Sequence, residues 1–133
     1  ESKDGHNWIV PTKKPVLSLG SSSSWKADGI LAPDVLLVGN TFHMWYSGWN
    51  EQNNIWRIGD ATSTDGLTWT ENLNNPTFGL GPADGFANGG VAHPVVLASR
   101  EGYHLWYAGS QAGTSGEQQI GYAASKNGEK WLR

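Results

Sequence analysis

No cysteine occurs among the 133 residues, which excludes a disulfide scaffold and thiolate metal sites. Charge is scarce as well: 9 Lys+Arg stand against 12 Asp+Glu, 16% of the chain, for a formal net charge of −3. A phosphate backbone demands a basic stripe, so no nucleic acid is expected as a partner. No apolar run approaches the roughly 18 residues of a membrane helix, so no membrane partner is expected either. No segment keeps a 3.6-residue apolar period between caps, so helices are not expected. A lysine-flanked apolar leader is also missing, and with Glu1 in first place the expectation is that any leader has already been removed. The composition carries no metal or cofactor signature.

Glycine and tryptophan are abundant. Eighteen glycines are nearly twice the usual ~7%, and 8 tryptophans are a large excess for this length. Glycine and proline together, 18 + 6 residues, stay below the roughly 25–30% that marks disorder. A folded, turn-rich, aromatic β protein follows.

The chain repeats itself. Ser2-Lys3-Asp4-Gly5-His6-Asn7-Trp8 recurs as Ser63-Thr64-Asp65-Gly66-Leu67-Thr68-Trp69 and as Ser125-Lys126-Asn127-Gly128-Glu129-Lys130-Trp131, at offsets of 61 and 62. Between these markers, Pro15-Val16-Leu17 answers Pro76-Thr77-Phe78, and Ala32-Pro33-Asp34-Val35 answers Ala92-His93-Pro94-Val95. Phe42-His43-Met44-Trp45-Tyr46-Ser47-Gly48 answers Tyr103-His104-Leu105-Trp106-Tyr107-Ala108-Gly109, and Ile58-Gly59 answers Ile120-Gly121. One domain spans 1–133, with a leading outer strand at 1–9, a first unit at 10–70 and a second at 71–133.

Each unit reads as four strands. In the first, these are Val35 to Val38, Phe42 to Tyr46, Ile55 to Thr62, and, after the Asp65-Gly66 turn, a fourth containing Trp69. Alternation puts Phe42, Met44 and Tyr46 on one face and His43 and Trp45 on the other. A sandwich strand wants one polar face, whereas these middle strands are apolar on both. Repeated four-stranded units apolar on both faces are blades of a β-propeller. The expected fold is therefore all-β, a propeller with two four-stranded blades per chain and an extra N-terminal strand.

The run from Pro15-Val16-Leu17 through Ala32-Pro33-Asp34-Val35, Met44-Trp45-Tyr46-Ser47-Gly48 and Ile58-Gly59 to Ser63-Thr64-Asp65-Gly66-Leu67-Thr68-Trp69 resembles the five-bladed propeller glycosidases, the arabinanase, invertase and levansucrase superfamily. The Ser-x-Asp-Gly-x-x-Trp turn is also similar to the sialidase Asp box, which holds one more residue between Asp and Gly. The first resemblance implies three carboxylates around the propeller axis: a base or nucleophile Asp, a general-acid Glu and an auxiliary Asp. Glycoside cleavage needs one carboxyl protonated and another ionised across the bond. The family's aspartates commonly stand directly before a proline at the inner end of a blade's first strand. Those positions hold Ala32 before Pro33 and His93 before Pro94. The nearest acids are Asp34 and Asp28, the catalytic candidates, with Glu51 or Glu117 as the acid partner.

Each candidate has a structural alternative. Asp34 either works at the axis or satisfies backbone amides. His93 either binds a ligand hydroxyl or shapes a turn. His43 and His104 occupy equivalent positions, which favours a repeated structural hydrogen bond. Asp60 stands where the second unit has Tyr122, and a bond to Arg57 or to a turn amide is expected to hold it. Asp4 and Asp65 are turn formers, as is Asn127 in the same slot. Trp8, Trp69 and Trp131 repeat, as do Trp45 and Trp106, and read as blade packing. Trp25, Trp49 and Trp56 do not repeat and are the candidates for stacking on a sugar ring.

Two blades leave apolar faces and strand edges open. Either several chains close a ring, making a homo-oligomer, or the chain is part of a longer protein. The expected function is a carbohydrate-binding or scaffold module without catalysis of its own. The alternatives are a glycoside hydrolase whose site forms on assembly, and a protein-interaction propeller. A cysteine-free chain suits oxidising and reducing surroundings alike, so the compartment stays open, with a secreted or periplasmic setting as the leaning.

Overall fold

A computed structural model describes residues 1–114 and 117–133. The first blade is a four-stranded antiparallel meander of β1 (Gly29–Val38), β2 (Thr41–Asn50), β3 (Ile55–Ser63) and β4 (Thr70–Glu71). The second repeats it with β5 (Gly90–Ser99), β6 (Gly102–Ser110), β7 (Gln118–Ser125) and β8 (Trp131–Leu132). There is no helix among the described residues. The molecule is a partial β-propeller of two blades.

The Ser-x-Asp-Gly motif, with Asn127 in place of Asp in the second blade, builds the turn before each outer strand. Ser63 Oγ accepts the Gly66 N–H at 2.9 Å, and Asp65 Oδ1 accepts the N–H groups of Leu67 and Thr68 at 2.8 and 2.7 Å. Side-chain oxygens thus replace the sheet partners that a turn lacks. The fourth strand differs from the sequence expectation. Trp69 precedes β4 and donates its indole N–H to the Gly66 carbonyl at 3.0 Å. The leading segment folds as the same turn, and Glu1 and Ile9 exchange backbone hydrogen bonds at 2.6 and 2.8 Å. It joins no sheet, since no strand stands beside it for pairing.

Alternation along β2 assigns the packing. Trp45, with Ile58 of β3, faces the second blade, which fills the interface with Val91, Val96, Leu105, Tyr107 and Ala123. Each fully buried aliphatic side chain contributes on the order of 1.5–3 kcal/mol. Met44, Tyr46 and Ala61 face the other way, beneath Leu17, Trp25, Ile30 and Trp69. Both faces of the middle strand are covered, as a blade requires. The second blade's outer face is open, exposing Val95, Leu97, Trp106, Ile120 and Tyr122.

A segment between outer and inner strands wedges an aromatic ring against each sheet. Trp25 lies over Gly48 and Gly59, where a Cβ would stand 2.2 and 2.7 Å from its ring. Phe86 does the same over Gly109 and Gly121, at 2.6 and 2.8 Å. Trp25 therefore has a counterpart, one the sequence conceals because tryptophan is replaced by phenylalanine.

Candidate functional site

The first strand of each blade breaks its register at one place. The bulge lies between Leu31 and Asp34 in β1, and between Ala92 and Val95 in β5. Ala32 and His93 carry φ of 50° and 54° there. A residue with a Cβ rarely adopts the left-handed region, and a residue before proline is ordinarily pushed to extended backbone. The strain re-aims a single side chain. The bulge is kept in both blades, with alanine in one and an exposed histidine in the other.

Around the bulge the polar groups tie blade to blade. The Val96 N–H donates to Asp34 Oδ2 at 2.6 Å, and the His93 N–H donates to the Ser47 hydroxyl at 2.8 Å. Asp34, Trp45 and Asp60 form one cross-strand row on the face turned toward the second blade. Asp34 therefore meets a backbone amide of the neighbouring blade.

A second group gathers where β1 begins and β2 turns into β3. Asp28 Oδ2 accepts the Glu51 N–H at 2.8 Å, and the Asp28 N–H donates to the Trp49 carbonyl at 3.0 Å. Trp49 and Trp56 pair across β2 and β3, with ring centroids 5.7 Å apart and planes 19° from parallel. The Trp49 indole N–H reaches Asn54 Oδ1 at 3.3 Å. Gly29 lies against the pair, where a Cβ would meet both rings at 3.6 Å in ordinary van der Waals contact. Beside it, Asn54, Asn88, Ser110 and Gln111 line a cleft of about 310 Å³ between the two blade ends. The structure thus brings Asp28, Trp49, Glu51 and Trp56 to one end of the blade. Trp25 is not among them: it packs on Tyr46, centroids 5.6 Å apart, on the opposite face of the sheet. Glu117 lies exposed just before β7.

Two expectations are corrected. His104 bonds Ser99 Oγ at 3.0 Å and Tyr122 Oη at 2.7 Å, whereas His43 stacks on Trp45, centroids 6.0 Å apart. The repeat is broken because Asp60 replaces the tyrosine. Asp60 in turn meets neither Arg57 nor a turn amide: its carboxylate accepts from the Asn72 side-chain amide at 3.3 and 3.4 Å. Arg57 projects from the other face of β3. Burial pushes the Asp60 carboxyl above the usual carboxylate range, against the pull of the Thr77 hydroxyl and Asn72; Glu129 adds to the rise and His43 opposes it. The Thr77 Oγ1 contact falls short of hydrogen-bond geometry, which leaves burial in command.

Sequence reasoning missed a partly buried polar network behind Tyr46. The Lys26 ammonium donates to the Ser18 carbonyl at 2.6 Å and to Glu71 Oε1 at 2.9 Å, and the Tyr46 hydroxyl donates to Glu71 Oε2 at 2.7 Å. Burial first, and then the hydrogen bond to Glu71, push the Tyr46 phenol far above its ordinary value. Both carboxylate oxygens and the ammonium are satisfied, so the cluster is a cross-brace between the wedge segment and the outer strand. No short motif signals it, because its members are 45 residues apart.

No family model matches the chain, and no curated protein matches it. Solved structures do. A glycosyl hydrolase from Bacteroides ovatus is 20% identical with a TM-score of 0.68, covering 82% of this chain and 32% of that one. A structure reported for the GH130 family of mannoside phosphorylases, said to contain glycoside hydrolases that target β-1,2 mannosidic linkages in Candida mannan, is 20% identical with a TM-score of 0.66, over 81% and 32%. Zg3597, a family 117 glycoside hydrolase from Zobellia galactanivorans, is 18% identical with a TM-score of 0.63, over 77% and 36%. At such identities the likeness establishes the fold. The chain spans about a third of the length of these glycoside hydrolases.

Proposed function

We propose that the chain is a carbohydrate-binding or scaffold module of the five-bladed glycosidase type, in the arabinanase, invertase and levansucrase superfamily, without catalysis as a single chain. The observation that carries this reading is the bulge. Its strained position is the one the resemblance assigns to an acid, and here it presents Ala32 and His93. Asp34 and Asp28, the nearest acids, each engage a backbone amide. The stacked Trp49–Trp56 pair supplies apolar ring area beside polar edges, which is what a sugar face and its hydroxyls require. His93 offers a further ligand contact at the inner strand.

A second reading is favoured by the chain's one-third share of its neighbours' length: a glycoside hydrolase whose remaining carboxylates come from other chains or from further blades. Asp34 or Asp28 then acts as base, with Glu51 or Glu117 as acid. Turnover of aryl-glycosides and plant or marine oligosaccharides separates the two. Under the scaffold reading sugars bind without turnover, and Trp49→Ala weakens binding at least tenfold. Turnover that Asp34→Asn abolishes would establish the enzyme instead. Absence of both binding and turnover favours the protein-interaction role.

A further inference from the structure

Within the chain, Trp45 of the first blade donates its indole N–H to the Gly128 carbonyl of the second blade's turn at 2.8 Å, in a buried site. Gly128 is pressed so close that a Cβ would stand 3.0 Å from the Trp45 ring, and its φ is +79°. Tyr103 and Trp131 complete the seat, with ring centroids 5.8 and 6.3 Å from Trp45. The docked turn carries a mark. In the other two copies the turn's own tryptophan donates to its glycine, Trp8 to Gly5 at 3.2 Å and Trp69 to Gly66 at 3.0 Å. In the docked copy that carbonyl is taken by Trp45, and Trp131 Nε1 is buried without a partner.

Trp106 is the repeat of Trp45. It is 38% exposed, amid Val95, Leu97, Ile120, Tyr122 and Leu132, all exposed. Its seat is open. The Ser2–Trp8 turn is a folded, unseated copy of the plug: Asp4 accepts the N–H groups of His6 and Asn7 at 2.9 and 2.8 Å, Gly5 has nothing near its Cβ position, and Trp8 is 70% exposed. We propose that the Ser2–Trp8 turn of one chain seats on the open face of the second blade of another copy, with the Trp106 indole N–H donating to the Gly5 carbonyl.

The same face disfavours a blade that docks as the second docks on the first. In the existing interface the first blade supplies acceptors to the second blade's inner strand, Asp34 to the Val96 N–H and Ser47 to the His93 N–H. In the second blade those positions are Val95 and Ala108. A blade docked in that manner would bury the same two inner-strand amides against methyl groups, which is unfavourable. A turn that needs only the outer contact suffers no such loss. The inference is independent of sugar binding.

The absence of cysteine makes the test direct. In the existing interface Glu129 and Asp60 line one cleft, and the corresponding pair between copies is His6 and Tyr122. Neither is in the core, so His6→Cys and Tyr122→Cys chains fold. Mixed under mild oxidation, they are expected to form a disulfide-linked heterodimer at least tenfold faster than His6→Cys mixed with Leu73→Cys, whose residue is exposed away from the seat. In the cysteine-free chain, light scattering is expected to show concentration-dependent association that Trp106→Ala and Asp4→Ala each weaken at least tenfold. Equal cross-linking rates for the two mixtures, or a single-chain mass at every concentration, would overturn the proposal.

Discussion

At the scale of single residues, two acids in the first blade have opposite pH behaviour. Asp65 lies on a turn, and the N–H groups of Thr68 and Leu67, with the Ser63 hydroxyl, hold its carboxyl far below the usual range. A carboxylate whose value is depressed by folding stabilises fully above the unfolded pKa, about 3.9, and loses that contribution as the pH falls below it. Asp65→Asn keeps the turn, as Asn127 does in the second blade, but removes the charge. Thermal melts from pH 7 to pH 2 are expected to show the wild-type advantage over Asp65→Asn shrinking as the pH drops below about 4. Asp60 is the reverse case. Burial raises its carboxyl, so its ionisation opposes folding as the pH climbs past the unfolded value toward the raised native one. Asp60→Asn keeps an acceptor for Asn72 and is expected to melt higher than wild type at pH 7 and with it at pH 3; a lower melting point at pH 7 would contradict the assignment.

At the scale of the element, the wedge controls how a blade tolerates change. Gly59 sits in β3 and Gly121 in β7, and each is glycine because an aromatic ring lies on it. Gly59→Ala would place a Cβ 2.7 Å from the Trp25 ring and 2.9 Å from Asn75. Overpacking of this kind costs about 1–3 kcal/mol, readable as a fall in the urea midpoint with an unchanged slope. The repeat made such elements legible in the sequence: the strands, their faces and the Ser-x-Asp-Gly turns follow from residues that recur. What the sequence hid are features that do not recur as letters. Trp25 and Phe86 share a role under different names, the visible slot shared by Asp60 and Tyr122 conceals different partners, Asn72 and His104, and the Lys26–Glu71–Tyr46 brace joins distant segments. The candidate site was legible in part, since Trp49 and Trp56 do meet as a stacked pair. The left-handed backbone at Ala32 and His93 was not, because neither residue type advertises it.

At the scale of the whole molecule, the governing fact is an interface made once and left open once. The chain exposes 8484 Å², against about 6,800 Å² for a compact monomer of its 14.4 kDa mass. The excess includes the exposed face of the second blade and the exposed leading segment, where Trp8, Ile9 and Val10 stand in solvent. Equivalent residues therefore differ in energetic weight according to the blade they occupy. Trp45 is 1% exposed and bonded across the interface, while Trp106, at the same place in the repeat, is 38% exposed. Trp45→Ala opens a cavity in the core shared by both blades and is expected to cost about 3–5 kcal/mol. Trp106→Ala, measured in dilute solution where copies are apart, is expected to cost less than about 1 kcal/mol, as for a surface position. Both blades report on the first substitution, because Trp45 contacts Tyr103 and Trp131 as well as its own sheet. A single urea transition that shifts as a unit in Trp45→Ala and barely moves in Trp106→Ala is the expected result. Equal losses would mean that the second blade's face is covered within one chain.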